Sequence, residues 1–261
     1  MKQQIGVAKV RIAEILNNGP EVRRQALIVG CPDSDIPGVR VDMKNYREFF
    51  KSMSGGLWYD NEITTLESPT QSGLQQALDS LKKADYSIVV FAGHGGYVAS
   101  KKTTMLQLRA NVTVDEYTLK FGAPLRTVII DACRMPVKET LREEFRKSVI
   151  AMDSIAHPEL SRFAFDNHVR KCAPGLAVMY ACSVGQGAGD SAQQGGTYSS
   201  ILLSEADAWG SNLANKGKTV MSISEAHDRA TPLVDRLRAG EQTPDAIFPR
   251  TVPRFPFAIC A

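Results

Sequence analysis

Residues 87–96, SIVVFAGHGG, and residues 127–134, TVIIDACR, decide the fold of this 261-residue chain. Each is a short, β-branched apolar run that stops at a reactive side chain, His94 in the first and Cys133 in the second. Runs of this kind, bounded by polar or Gly-rich stretches, read as buried strands of a parallel sheet. Open α/β sheets collect functional groups outside the carboxyl ends of their strands. A thiol and an imidazole delivered to the same edge are the equipment for nucleophilic acyl transfer.

The flanking sequence alternates in the same way. Residues 26–30 (ALIVG) read as a buried strand, and residues 42–53 carry Met43, Tyr46, Phe49 and Phe50 at helical spacing. A short strand is expected over 62–66, a helix over 72–83 and a hairpin over 104–111. Thr113 and Glu116 have the spacing of a capping box that opens a short helix. Beyond Cys133 come a charged stretch over 138–170, helical in part, a strand over 176–182, and helices over 197–209 and 222–237. A Pro-rich tail over 240–261 ends in FPFAI followed by Cys260 and Ala261. Repeated β–α alternation predicts an α/β fold, a mostly parallel central sheet with helices on both faces. Residues 1–24 are a polar lead with a weak helix over 7–16, and no internal repeat or low-complexity segment stands out.

Composition narrows the function classes. The net charge is +3, with 31 basic and 28 acidic residues interspersed, so the clustered Lys and Arg of a nucleic-acid surface are missing. No apolar run approaches spanning length, and the N-terminus lacks the apolar core of a signal peptide. The five cysteines, Cys31, Cys133, Cys172, Cys182 and Cys260, form no CxxC and no zinc-like spacing with histidine. A reduced, cytoplasmic protein with free thiols, no metal and no membrane contact is the expectation.

Cysteine is among the most buried residue types, so a strand-end Cys alone says little. Here the context adds weight. Gly93, Gly95 and Gly96 flank His94 in a tight turn where backbone approaches a ligand closely. Asp131 sits two residues before Cys133, on the same face of an otherwise apolar strand. A buried carboxylate there calls for a cationic partner or an open cleft.

GHGG and DACR, in this order and each preceded by an apolar strand, resemble the caspase–metacaspase superfamily of cysteine peptidases. The resemblance extends from Ala26 onward: ALIVG is similar to the first strand and Asp42, Tyr46 and Phe50 to the first helix. YACSVGQGAGD with GGTYSSILL is similar to the small-subunit strand and the following helix, and RFPFAI to the ends of bacterial caspase-like proteins. The resemblance implies a caspase-like domain over 25–261, with a large-subunit-like part over 25–137, a linker over 138–174 and a small-subunit-like part over 175–261. It implies Cys133 as nucleophile and His94 as the group that raises its thiolate fraction and protonates the leaving amine, with backbone N–H groups of Gly95 and Cys133 as oxyanion hole. Asp131 and Asp42 match the acids with which metacaspases select Arg or Lys before the cut, and Asp190 matches a further acid of the cleft. Arg40 lies close enough in sequence to neutralise Asp42, and Ala92 stands where metacaspases usually have Ser.

The 138–170 stretch lies where caspases are cut between subunits, and Arg142, Arg146, Lys147 and Arg162, with Arg170-Lys171 beyond them, are the expected processing sites for an enzyme cutting after basic residues. Cys172 and Cys182 read as core thiols, Cys31 as a residue bordering the cleft, and His157, His168 and His227 as surface residues. No EF-hand is present, which leaves calcium without a motif. The expected partners are protein or peptide substrates and an upstream activating protease, with a role in prokaryotic stress, cell death or antiviral defence. The rival readings are a non-catalytic caspase-like scaffold, a Cys-dependent phosphatase, which needs an Arg where Glu139 stands, and a flavodoxin-like nucleotide-binding domain, whose Gly-rich turn after the first strand is missing.

Overall fold

Two parallel neighbours, β3 (Tyr86–Gly93) and β7 (Leu125–Asp131), form the middle of a six-stranded sheet. They belong to a computed structural model that describes residues 21–136, 158–215 and 217–260. Chain order before β7 is β1 (Arg24–Cys31), α1 (Val39–Lys51), β2 (Ile63–Glu67), α2 (Gln71–Leu81), β3, β4 (Gly95–Val98), β5 (Thr103–Arg109) and β6 (Val112–Asp115). After β7 come α3 (Pro158–Val169), β8 (Gly175–Tyr180), β9 (Asp190–Ser191), β10 (Gly195–Gly196), α4 (Thr197–Ser211) and β11 (Val220–Ser222). Then follow α5 (Ile223–Leu237), β12 (Asp245–Ile247) and β13 (Pro256–Ile259). The large sheet has the order β12-β8-β7-β3-β1-β2, parallel throughout except for β12 at one edge. The mostly parallel sheet expected from the β–α alternation is present.

The strand period of two sorts the core. Ile28, Val90 and Ile129 point to one face, where they meet Tyr46, Phe49 and Phe50 of α1, Phe165 of α3, Tyr198 and Leu202 of α4 and Ala226 of α5. Leu27, Val29, Val89, Phe91, Val128 and Ile130 point to the other, against Leu74, Leu78 and Leu81 of α2 and Leu106 and Leu108 of β5. Each fully buried side chain of this size contributes roughly 1.5–3 kcal/mol. Helices cover both faces unequally: α1, α3, α4 and α5 lie on the first, and α2 shares the second with the β4-β5-β6 sheet.

Local chemistry sets the element ends. Thr70 caps α2 by accepting from Gly73 N at 2.9 Å, and Ser222 with Glu225 forms a reciprocal box at the start of α5. Thr113, expected in such a box, lies instead in β6, and Asp115 caps the following single turn by accepting from Tyr117 N at 2.9 Å. The expected hairpin over 104–111 is the β5–β6 pair, widened by β4 into a three-stranded sheet. The FPFAI tail becomes β13, antiparallel to β11, with Phe257 packed 5.2 Å from Phe49.

Arg24, placed by sequence in the polar lead, opens β1 and is fully buried. Its guanidinium lies 4.6 Å from the Trp58 ring centroid and 4.9 Å from that of Phe165, and donates to Gly56 O and Leu57 O at 3.0 Å each. Glu62 and Asp166 complete the charge balance. Arg162 of α3 joins the same network with two 2.8 Å hydrogen bonds to Glu62. Ser161 donates to Met53 O beside it, so α3 is anchored against the β1–β2 half of the chain.

Candidate active site

Register brings the two strand ends together. Ala92 of β3 is directly opposite Asp131 of β7, so two residues further along each strand His94 and Cys133 leave the same sheet edge on adjacent strands. The chain turns away at once: Gly95 pairs with Leu106 to begin β4, and Gln107 N donates to His94 O at 3.0 Å. Gly95 backs onto the other strand end, where a Cβ would stand 2.7 Å from Cys133 O and 2.9 Å from Ala132 Cβ. Only glycine allows that approach.

Arg134 fixes the backbone beyond Cys133. Its N–H donates to Gln186 O at 3.0 Å, and its carbonyl accepts from Gly185 N at 2.9 Å. Its buried guanidinium stacks 3.9 Å from the Tyr180 ring centroid and reaches Cys182 O (3.3 Å) and Asp245 Oδ2 (3.4 Å). The loop over 183–188 is thereby held against the cysteine. Ala188 N donates to Cys133 Sγ at 3.2 Å, and Sγ lies 3.7 Å from Ala188 O. Burial pushes the Cys133 thiol up, against the pull of the Ala188 N–H. The sulfur thus rests against a backbone amide, and neither of these two hydrogen bonds is to His94. His94 is 28% exposed, and its Nε2 lies 3.8 Å from Asp33 Oδ2. Sequence reading missed Asp33; the only signal for it is a carboxylate in the loop just after β1.

His94, Cys133, Asp42, Asp131 and Asp190 line one cleft. Asp131, on the same strand face as Ile129, points at the start of α4, where Ser199 donates from its backbone N (3.1 Å) and its Oγ (2.6 Å) to Asp131 Oδ2. Asp42, in the first turn of α1, accepts from Gly196 N at 2.9 and 3.0 Å. Asp190 accepts from Gly38 N at 3.0 Å. Two carboxylates thus sit at the N-terminus of the 15-residue α4, where its unpaired N–H groups and macrodipole favour negative charge. Gly195, at φ +81°, and Gly196 make this possible: a Cβ on the first would overlap the Asp42 carboxylate, and on the second that of Asp131.

These acids have no lysine or arginine partner among the described residues, and Arg40, the expected neutraliser of Asp42, pairs with Glu67 at 2.6 Å instead. Burial, followed by the charge of Asp131, pushes the Asp42 carboxyl well above the usual range. Burial pushes Asp131 up as well, against the two Ser199 hydrogen bonds. Asp190 is raised by burial too, opposed by Gly38 N–H and the nearby His94.

Several other sequence expectations change. Cys31 is buried against Gly93 and Phe91 rather than bordering the cleft, and burial pushes its thiol to about 12. His227 is buried in the core, with Nδ1 2.8 Å from Tyr198 Oη, and His168 is half-buried with Nε2 2.9 Å from Arg254 O. Both were expected at the surface; their helices turn them inward toward α4 and the tail. Arg162 is 8% exposed and paired to Glu62, out of reach of a protease in the folded chain. Arg142, Arg146, Lys147, His157 and the helix over 7–16 lie outside the described residues. A wider groove between α2 and β6, lined by Gln71, Gln75, Met105 and Thr113, holds no cysteine or histidine. Among the described residues, no three His, Cys, Asp or Glu side chains are grouped to hold a metal ion, and no helix is long and apolar enough to cross a membrane.

A caspase domain model matches residues 23–251. The crystal structure of caspase-1 from Spodoptera frugiperda superposes with a TM-score of 0.54, covering 89% of this chain and 90% of that one at 16% identity. That likeness establishes a shared fold. No curated protein sequence matches the chain. With its six-stranded, mostly parallel sheet and a family match that spans the whole of it, the chain belongs to the caspase domain family.

Proposed function

We propose that the chain is a cysteine endopeptidase that cleaves proteins after Arg or Lys. The observation that carries this reading is one cleft in which a thiol, an imidazole, two buried carboxylates and the half-buried Asp190 converge, with no lysine or arginine partner for the acids among the described residues. Cys133 is the nucleophile. Its sulfur lies on the Ala188 amide, so attack begins when it turns from that amide and passes the thiol proton to His94 as the C–S bond forms. The tetrahedral oxyanion takes hydrogen bonds from the N–H groups of Gly95 and Cys133, donors that contribute about 3–4 kcal/mol each in such sites. His94 then protonates the leaving amine, and a water that gives its proton back to His94 hydrolyses the thioester.

Asp131 and Asp42 supply the specificity, with Asp190 at the mouth. A guanidinium or ammonium entering between them gains charge-assisted hydrogen bonds and relieves their mutual repulsion. An aspartate in that position would meet like charge. Processing, by an upstream protease or by the enzyme itself, falls in this reading at Arg142, Arg146 or Lys147, with Arg162 left intact. A cytoplasmic effector role in prokaryotic stress, cell death or antiviral defence rests on the family resemblance alone.

The test is turnover of fluorogenic peptides ending in Arg, Lys or Asp by wild type beside Cys133→Ala, with and without calcium and after limited proteolysis. Arg or Lys turnover that the variant lacks is the expected result. Asp turnover would overturn the acidic pocket, and silence under every condition would favour a non-catalytic scaffold.

A further inference from the structure

Asp131 is buried, yet its oxygen Oδ2 must hold a defined position and stay ionised to meet a cation. Two groups and burial compete with that. Asp42 faces it from α1, Asp190 adds like charge from β9, and burial penalises the ionised form. Ala92 occupies the neighbouring position on β3 and offers no hydroxyl. What opposes protonation is Ser199, the third residue of α4, through its N–H and its 2.6 Å hydroxyl. Since the Ser199 hydrogen is committed to the carboxylate, its Oγ is the acceptor for the Tyr46 hydroxyl 3.1 Å away. Ser199 and Tyr46 are both fully buried, so neither touches solvent or substrate.

We infer that the Tyr46–Ser199 hydroxyl chain is the positioning device of the specificity pocket, donating in sequence into Asp131 so that the carboxylate stays charged and aimed at the substrate's basic side chain. The inference rests on the reading of Asp131 as a specificity acid. Hydrogen bonds in series polarise one another, so the Tyr46 donor strengthens the Ser199 one. The chain also links α1 to α4, the two helices whose first turns carry the remaining pocket contacts. The groups around Asp131 that titrate or carry charge are Asp42 and Tyr46 from α1, Tyr198 from α4, Asp190, Cys182 just beyond β8, and Cys133 on its own strand end.

The experiment compares Ser199→Ala, Ser199→Thr, Tyr46→Phe and Asp131→Asn on Arg-terminated fluorogenic peptides across pH, with thermal melts as the folding control. Loss of one hydrogen bond to a buried charge predicts a rise in KM of about tenfold for Ser199→Ala, with kcat within about twofold. The acid limb of kcat/KM moves to higher pH in that variant, because Asp131 is more easily protonated. Ser199→Thr restores both quantities, and Tyr46→Phe shifts them in the same direction by about two- to threefold. An unchanged KM and acid limb in Ser199→Ala, while Asp131→Asn loses Arg cleavage, overturns the inference and spares the pocket. Threonine performing no better than alanine overturns it too, since packing and not the hydroxyl then matters. Full Arg cleavage by Asp131→Asn overturns the pocket reading itself.

Discussion

Asp131→Asn should make the protein more stable and less active at once. In the folded chain the Asp131 carboxyl is raised above its unfolded value by burial, and Asp42 beside it likewise. A carboxyl raised on folding contributes its stability below the unfolded pKa and loses it as pH rises through the folded one, so at neutral pH the pair is a net cost. Asparagine keeps the shape, still accepts both Ser199 hydrogen bonds, and removes one buried charge. Relief of about 1–3 kcal/mol is the expected scale for one imperfectly compensated buried group. For a chain of this size, 1 kcal/mol moves Tm by about 2–4 °C, so the variant should melt several degrees higher at pH 8. Below the unfolded pKa of aspartate the advantage should disappear, because the wild-type pair is then neutral. Cleavage after Arg should meanwhile fall about 10- to 100-fold in kcat/KM, the cost of losing a charge-assisted bond. Calorimetry at pH 8 and pH 3.5 beside peptide kinetics reads both. A lower Tm at pH 8, or a gain that persists unchanged at pH 3.5, would refute the electrostatic account.

Glu62→Gln should act with the opposite sign. Burial works against the Glu62 carboxylate, but Arg162 and Arg24 hold it below the usual range, so its stability is present above the unfolded pKa and lost as pH falls through the folded one. Removing that charge leaves two buried arginines with Asp166 and the exposed Glu21, at a cost of about 3–5 kcal/mol readable by urea denaturation. Alkylation of Cys133 by iodoacetamide, followed by peptide mapping, should be slower at pH 7 than that of a free thiol and climb steeply above pH 9, since burial raises the thiol. Limited trypsin digestion under native conditions should leave the bond after Arg162 uncut until the whole domain unfolds.

The sheet and the two reactive strand ends are legible in the sequence because β-branched runs with abrupt polar stops have few other solutions. Residues 87–92 and 127–132 had to be buried strands, and His94 and Cys133 had to leave them at one edge. The Ala92–Asp131 register that sets the two side by side is a long-range pairing with no local signature. The same holds for the helices: amphipathic spacing marks each one, but nothing local assigns α1, α3, α4 and α5 to one face. Arg24 and His227 read as solvated because their chemistry is polar; Glu62, Asp166 and two backbone carbonyls for the first, and Tyr198 and Thr231 for the second, make burial tolerable. Asp42 and Asp131 were legible as acids of a cleft, and Ser199 was not. Its role depends on the third residue of a helix meeting a strand 68 residues earlier.

The most direct test of the central claim is covalent capture. Peptidyl acyloxymethyl ketones ending in Arg or in Asp, incubated with the intact protein and read by intact mass and peptide mapping, report the nucleophile and the pocket together. A single adduct on Cys133 from the Arg probe, absent with the Asp probe and absent in His94→Ala, is the predicted result. Labelling by the Asp probe, or a Cys133 that takes neither probe in a folded and linker-cleaved protein, would contradict it.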